Sequence, residues 1–130
     1  MIAVDTNIVL RLILGDEPRQ IEAIRLLMQR QRLFVSLTVL LETGWVLESR
    51  YRMPRSQVVA SLDGVTALDG VAIARPLLVR WAIDRYGAGG DWADMIHIVS
   101  AAKTDGFATL DRAVRRKTGA ACPIPVETLA

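Results

Sequence analysis

Four short apolar runs, each giving way to a longer amphipathic segment, constrain this chain more than anything else in it. They are Ile2-Ala3-Val4, Leu33-Phe34-Val35-Ser36, Val71-Ala72-Ile73 and Phe107-Ala108-Thr109-Leu110. A run this short, with little alternation, reads as a strand buried on both faces of a parallel sheet. Between the runs the apolar spacing changes to that of helices. Thr6 to Leu14 is densely aliphatic, and Ile21, Ile24, Leu27 and Met28 recur at helical spacing after the break Gly15-Asp16-Glu17-Pro18. Thr38 to Tyr51, the segment after Pro54 with Val58, Val59, Leu62 and Val65, and Pro76 to Tyr86 follow the same pattern. Asp91 to Thr104 is expected as one strong helix, and Arg112 to Lys117 as a short basic one stopped by Gly119. Pro125-Val126-Glu127 is a candidate fifth, edge strand. Strands alternating with helices imply a parallel sheet covered by helices, and no repeat, linker or low-complexity tract interrupts the pattern. One domain over residues 1–130 is therefore expected.

The composition agrees and adds exclusions. With 52% hydrophobic and 23% charged residues the chain is too apolar for disorder. The formal net charge of +2 is compatible with an anionic partner without requiring one. A single cysteine, Cys122, rules out an internal disulfide and reads as a structural or incidental thiol. No apolar run approaches the length of a membrane helix, and no basic, apolar leader opens the chain, so a cytoplasmic protein is expected.

In open parallel sheets, ligands bind beyond the carboxyl ends of the strands. Four acids stand there: Asp5 after the first run, Asp111 after the fourth, Glu42 one helical turn past the second, and Asp94 in the first turn of the helix after Gly87-Ala88-Gly89-Gly90. Glu42 and Asp94 are flanked by apolar neighbours, where an unpaired carboxylate is costly. Carboxylates that converge without cations repel one another, and a hard divalent ion such as Mg²⁺ resolves the conflict. Such an ion can activate water and stabilise a leaving oxygen in phosphodiester cleavage. Each acid also has a plainer reading. Asp5 and Asp111 would serve as helix caps, Glu42 as a half-exposed helix residue, and Asp94 as a partner of the helix dipole.

The segments MIAVDTNIVLRLI, FVSLTVLLETGWVLESRYRM and GGDWADMIHIVSAAKTDGFATLDRAVRR resemble, in order, the motifs of PIN-domain nucleases, above all the VapC-type toxins of toxin–antitoxin pairs. The likeness spans nearly the whole chain. It implies a three-layer α/β/α sandwich around a central parallel sheet of four to five strands. It also implies Mg²⁺-dependent endonucleolytic cleavage of RNA, with Mn²⁺ as a substitute, restrained by a VapB-like antitoxin, and a homodimer. By resemblance Asp5 and Asp94 are the principal metal-binding acids, Glu42 the helix acid and Asp111 the fourth acid. Thr6, Asn7 and Thr109 match polar neighbours that hold the site. Asp91, three residues before Asp94, is either a further site acid or the cap of its helix.

Other residues carry weaker expectations. Arg112, Arg115, Arg116 and Lys117 would meet RNA phosphates or form a solvated face. Arg11 would reach the site or cover apolar surface with its stem. His97, the one histidine, reads as a satisfied residue rather than a general base. Trp45 and Trp92 read as packing residues, with base stacking as an alternative that nothing in the sequence supports. A PIN-type nuclease acting in RNA processing or on DNA is the nearest alternative function. A phosphoryl-transfer or receiver-type domain is the more distant one. It wants a second acid close to Asp5, where Thr6 and Asn7 stand instead.

Overall fold

A computed structural model describes all 130 residues. The chain divides into two compact units, Met1–Ala74 and Arg75–Ala130.

The first unit holds β1 (Ile2–Ala3), α1 (Thr6–Leu14), α2 (Pro18–Arg30), β2 (Leu33–Val35), α3 (Leu37–Ser49), α4 (Arg55–Thr66) and β3 (Val71–Ile73). Its strands pair in the order β1-β2-β3, all parallel, with Ile2 opposite Leu33 and Leu33 opposite Val71. Parallel neighbours need a crossover, and a helix pair supplies each one here. The strands end where side chains take over the backbone. Ser36 accepts the Val39 N–H at 3.3 Å and so starts α3, one residue earlier than the helical pattern suggests. Leu33 and Val35 are fully buried, as are Val9, Leu40, Leu47, Val58 and Leu62 from three of the helices. α1 packs against α2, α3 and α4, and Asp5 stands at its head.

The second unit holds α5 (Pro76–Gly87), α6 (Trp92–Ser100), β4 (Phe107–Thr109), α7 (Arg112–Thr118) and β5 (Val126–Thr128). β4 and β5 are parallel, with Phe107 opposite Val126. α5 and α6 pack closely, and Tyr86 meets Trp92 edge to face at 5.7 Å. A further cluster gathers Ile98, Val114 and Ile124 under Trp81, Phe107 and Val126. α6 ends at Ser100 rather than at Thr104. The Ala101 N–H is shared among the His97, Ile98 and Val99 carbonyls, and the Thr104 hydroxyl donates to the Ala101 carbonyl at 2.7 Å. A side chain that competes for helical carbonyls in this way closes the helix.

The α/β class and the five parallel strands are as the sequence suggests. The strands are two or three residues long and form two hydrogen-bonded ladders, of three strands and of two, in place of the single central sheet expected. No helix is long and apolar enough to cross a membrane.

Candidate functional site

The first unit brings two of the expected acids into a defined local setting. Asp5 directly follows the β1 strand and caps α1, accepting the Ile8 N–H at 3.1 Å with one carboxylate oxygen. The cap uses Oδ1 and leaves Oδ2 available. Thr6, the first residue of α1, is buried, and its hydroxyl donates to Glu42 Oε1 on α3. A buried hydroxyl pinned to an exposed carboxylate fixes the acid's rotamer from below. Thr6 is therefore the residue that orients Glu42. Asn7 is exposed and lines, with Asp5, Ile8, Arg11, Gln20, Ala23, Ile24 and Leu27, an open groove of about 360 Å³ between α1 and α2. Arg11 lines the same groove, but its guanidinium is already engaged. It pairs with Asp16 at 2.6 Å and hydrogen-bonds Tyr51, which together raise its pKa.

The second unit gathers the other acids. Asp91 caps α6, its Oδ2 accepting the Asp94 N–H at 3.0 Å. Gly90, just before it, is fully enclosed. A Cβ there would stand 3.0 Å from the Arg85 carbonyl oxygen and 3.3 Å from the Met95 sulfur, so a side chain at this position would force its neighbours to give way at the entry to α6. Asp94 lies in the first turn, partly buried, and its pKa is raised above the ordinary aspartate value. Burial is the main cause, with the charges of Asp91 and Asp111 adding to it and His97 opposing. Asp111 follows β4 and caps α7, accepting the Ala113 N–H at 2.8 Å, while its own N–H is held by Thr109 Oγ1 at 3.0 Å. Thr109 thus holds the backbone at Asp111. His97 is exposed and within electrostatic reach of Asp94.

Three of the five acids are helix caps, so the plainer reading of Asp5, Asp91 and Asp111 is correct as far as it goes. A cap consumes one oxygen of a carboxylate that has two. The donor set is all hard oxygen, and no lysine or arginine forms an ion pair with Asp91, Asp94 or Asp111. This chemistry fits a divalent cation such as Mg²⁺. As the side chains lie, no group of three or more His, Cys, Asp or Glu residues is arranged to hold a metal.

Arg112, Arg115 and Arg116 are exposed on α7. Trp92 is a packing residue as expected, but Trp45 is not. It is 60% exposed on α3, because the buried stripe of that helix runs through Leu40, Thr43, Gly44, Val46 and Leu47 and leaves position 45 outside. Arg85 was not marked by any pattern in the sequence, yet its Nε donates to the Lys117 carbonyl at 2.8 Å and secures the end of α7 behind Asp111.

No curated protein and no solved structure matches this chain. One family model does, that of the PIN domain, over residues 2–120. PIN domains are generally nucleases, hydrolases that act on nucleic acids and typically use divalent metal ions. The match takes in every acid described above, and the chain belongs to the PIN domain family.

Proposed function

We propose that this protein is a Mg²⁺-dependent endoribonuclease, a VapC-type toxin restrained by a VapB-like antitoxin. Asp5, Glu42, Asp94 and Asp111 supply carboxylate oxygens to the ion, and Asp91 supports them from the cap of α6. The observation that carries this reading is the family match over residues 2–120, a range that includes all five acids. The reaction is hydrolysis. A water gives up a proton as its oxygen bonds to phosphorus, the bond to the leaving ribose oxygen breaks, and a proton returns to that leaving oxygen. A divalent ion held by these acids, Mg²⁺ or Mn²⁺, supplies an activated water and stabilises charge on the phosphate.

The chain's own residues do the positioning. The α1 and α7 caps fix Asp5 and Asp111 by one oxygen each. The Thr6 hydroxyl holds Glu42, and Thr109 holds the backbone that carries Asp111. Arg112, Arg115 and Arg116 are exposed and suit phosphate contacts flanking the cleaved bond. The apolar groove between α1 and α2 suits an amphipathic helix of the antitoxin. A homodimer working in the cytoplasm completes the reading.

Asp5→Asn tests it. Asparagine caps a helix as well as aspartate does, so α1 survives while one charge is lost. RNA cleavage is expected to fall by about two to three orders of magnitude, the equivalent of several kcal/mol of charge stabilisation. A variant that cleaves RNA as fast as the parent protein contradicts the assignment. Parallel assays on DNA of the same sequence separate a ribonuclease from a DNA-acting PIN enzyme.

A further inference from the structure

The stretch from Glu42 to Arg55 carries features that the acid site does not use. Trp45 lies one helical turn beyond Glu42, so the two side chains share a face of α3. Its 60% exposure is unusual for the largest side chain and contrasts with 3% at Trp92. Beyond it, Arg50-Tyr51-Arg52 interleaves cations with an aromatic ring, and all three are exposed. Neither Arg50 nor Arg52 is held in an ion pair, while Glu48, the acid within the stretch, is already engaged. Tyr51 is anchored to α1 through Arg11, so this end of α3 is fixed in place.

The backbone adds a second observation. Arg52 has φ +50, the left-handed conformation that favours glycine. It turns the end of α3, with the Met53 N–H reaching back to the Leu47 carbonyl at 3.1 Å. Helices commonly end this way on a glycine. An arginine here costs stability that a glycine would recover, and a strained residue of this kind points to a function for its side chain.

We propose that Trp45, Arg50 and Arg52 form a single-stranded RNA track leading away from Glu42. Trp45 stacks a base next to the cleaved bond, and the two arginines neutralise the phosphates that follow. The inference rests on the nuclease reading above. Charge complementarity selects the occupant: a polyanion with stackable bases matches a tryptophan flanked by unpaired cations, as in other single-strand grooves. An apolar helix would leave those cations without partners.

The test measures binding of a fluorescein-labelled, mixed-sequence single-stranded RNA in excess chelator, so that it does not depend on cleavage. Trp45→Ala is expected to weaken binding about tenfold and Trp45→Phe much less. The loss should vanish when the RNA is replaced by an abasic strand of equal length. Arg50→Ala and Arg52→Gly should each lower the slope of log affinity against log salt by about 0.7. Arg52→Gly should also melt a few degrees higher than the parent, an effect that separates its RNA role from any structural one. Unchanged affinity and salt slope in these variants, in a parent protein that binds and cleaves RNA, overturn the track and leave the nuclease reading standing. A parent protein that neither binds nor cleaves RNA overturns both. Loss of self-association in Trp45→Ala with RNA affinity intact would assign this face to a second copy of the chain and overturn the proposal.

Discussion

Asp94 carries a charge that its surroundings resist. Burial and the neighbouring Asp91 and Asp111 carboxylates raise its pKa in the folded chain above the ordinary value. The folded state therefore holds the proton more tightly than the unfolded one, and stability falls as pH rises from the ordinary aspartate range through the raised value. Above that value the deficit persists. In chelator at pH 7, Asp94→Asn is expected to melt higher than the parent, and the gap should close in acid below the ordinary range. Added Mn²⁺ should raise the melting temperature of the parent and not of the variant, since a ligand that binds only the folded state stabilises it. A variant that melts lower than the parent in chelator at neutral pH would contradict this account of Asp94. The acids were legible as sequence because each follows a strand or opens a helix, where caps and metal ligands alike are found. What the sequence left open was which they are. Asp5, Asp91 and Asp111 prove to be caps, and a cap leaves an oxygen free.

At the scale of elements, apolar spacing located all seven helices and five strands, and it was least reliable at their ends. The differences have local causes: Ser36 starts α3 early, and the Thr104 hydroxyl ends α6 early. Side-chain capping of this kind leaves only a weak trace in hydrophobic pattern. The exposure of Trp45 was missed for a related reason. α3 is apolar nearly all round, so its buried stripe cannot be phased from composition alone. α7 is held by a device invisible in the sequence. Arg85 binds the Lys117 carbonyl, and Gly119, at φ +72 and ψ −174, lets its guanidinium lie where a Cβ would come within 2.9 Å. Gly119→Ala should cost about 1–3 kcal/mol through backbone strain, even if the arginine moves aside. Urea denaturation reads the cost, and an unchanged midpoint would show that this corner is not constrained as described.

At the scale of the whole molecule, the family match over residues 2–120 takes in residues of both compact units. The net charge of +2 conceals local contrasts: Arg50 and Arg52 at the end of α3, three exposed arginines on α7, and acids at the heads of α1, α6 and α7. Cations that grip a polyanion and acids that recruit a divalent ion are the two requirements of a metal-dependent nuclease. Neither net charge nor composition displays that division, whereas the order of acids along the chain does. The most direct measurement is the rate of single-stranded RNA cleavage by the purified protein as Mg²⁺ is titrated from excess chelator. The account predicts no cleavage in chelator, a rate that rises to saturation with Mg²⁺ or Mn²⁺, and no such rise in Asp94→Asn. Full-rate cleavage in excess chelator, or a metal response that survives in Asp94→Asn, would contradict it.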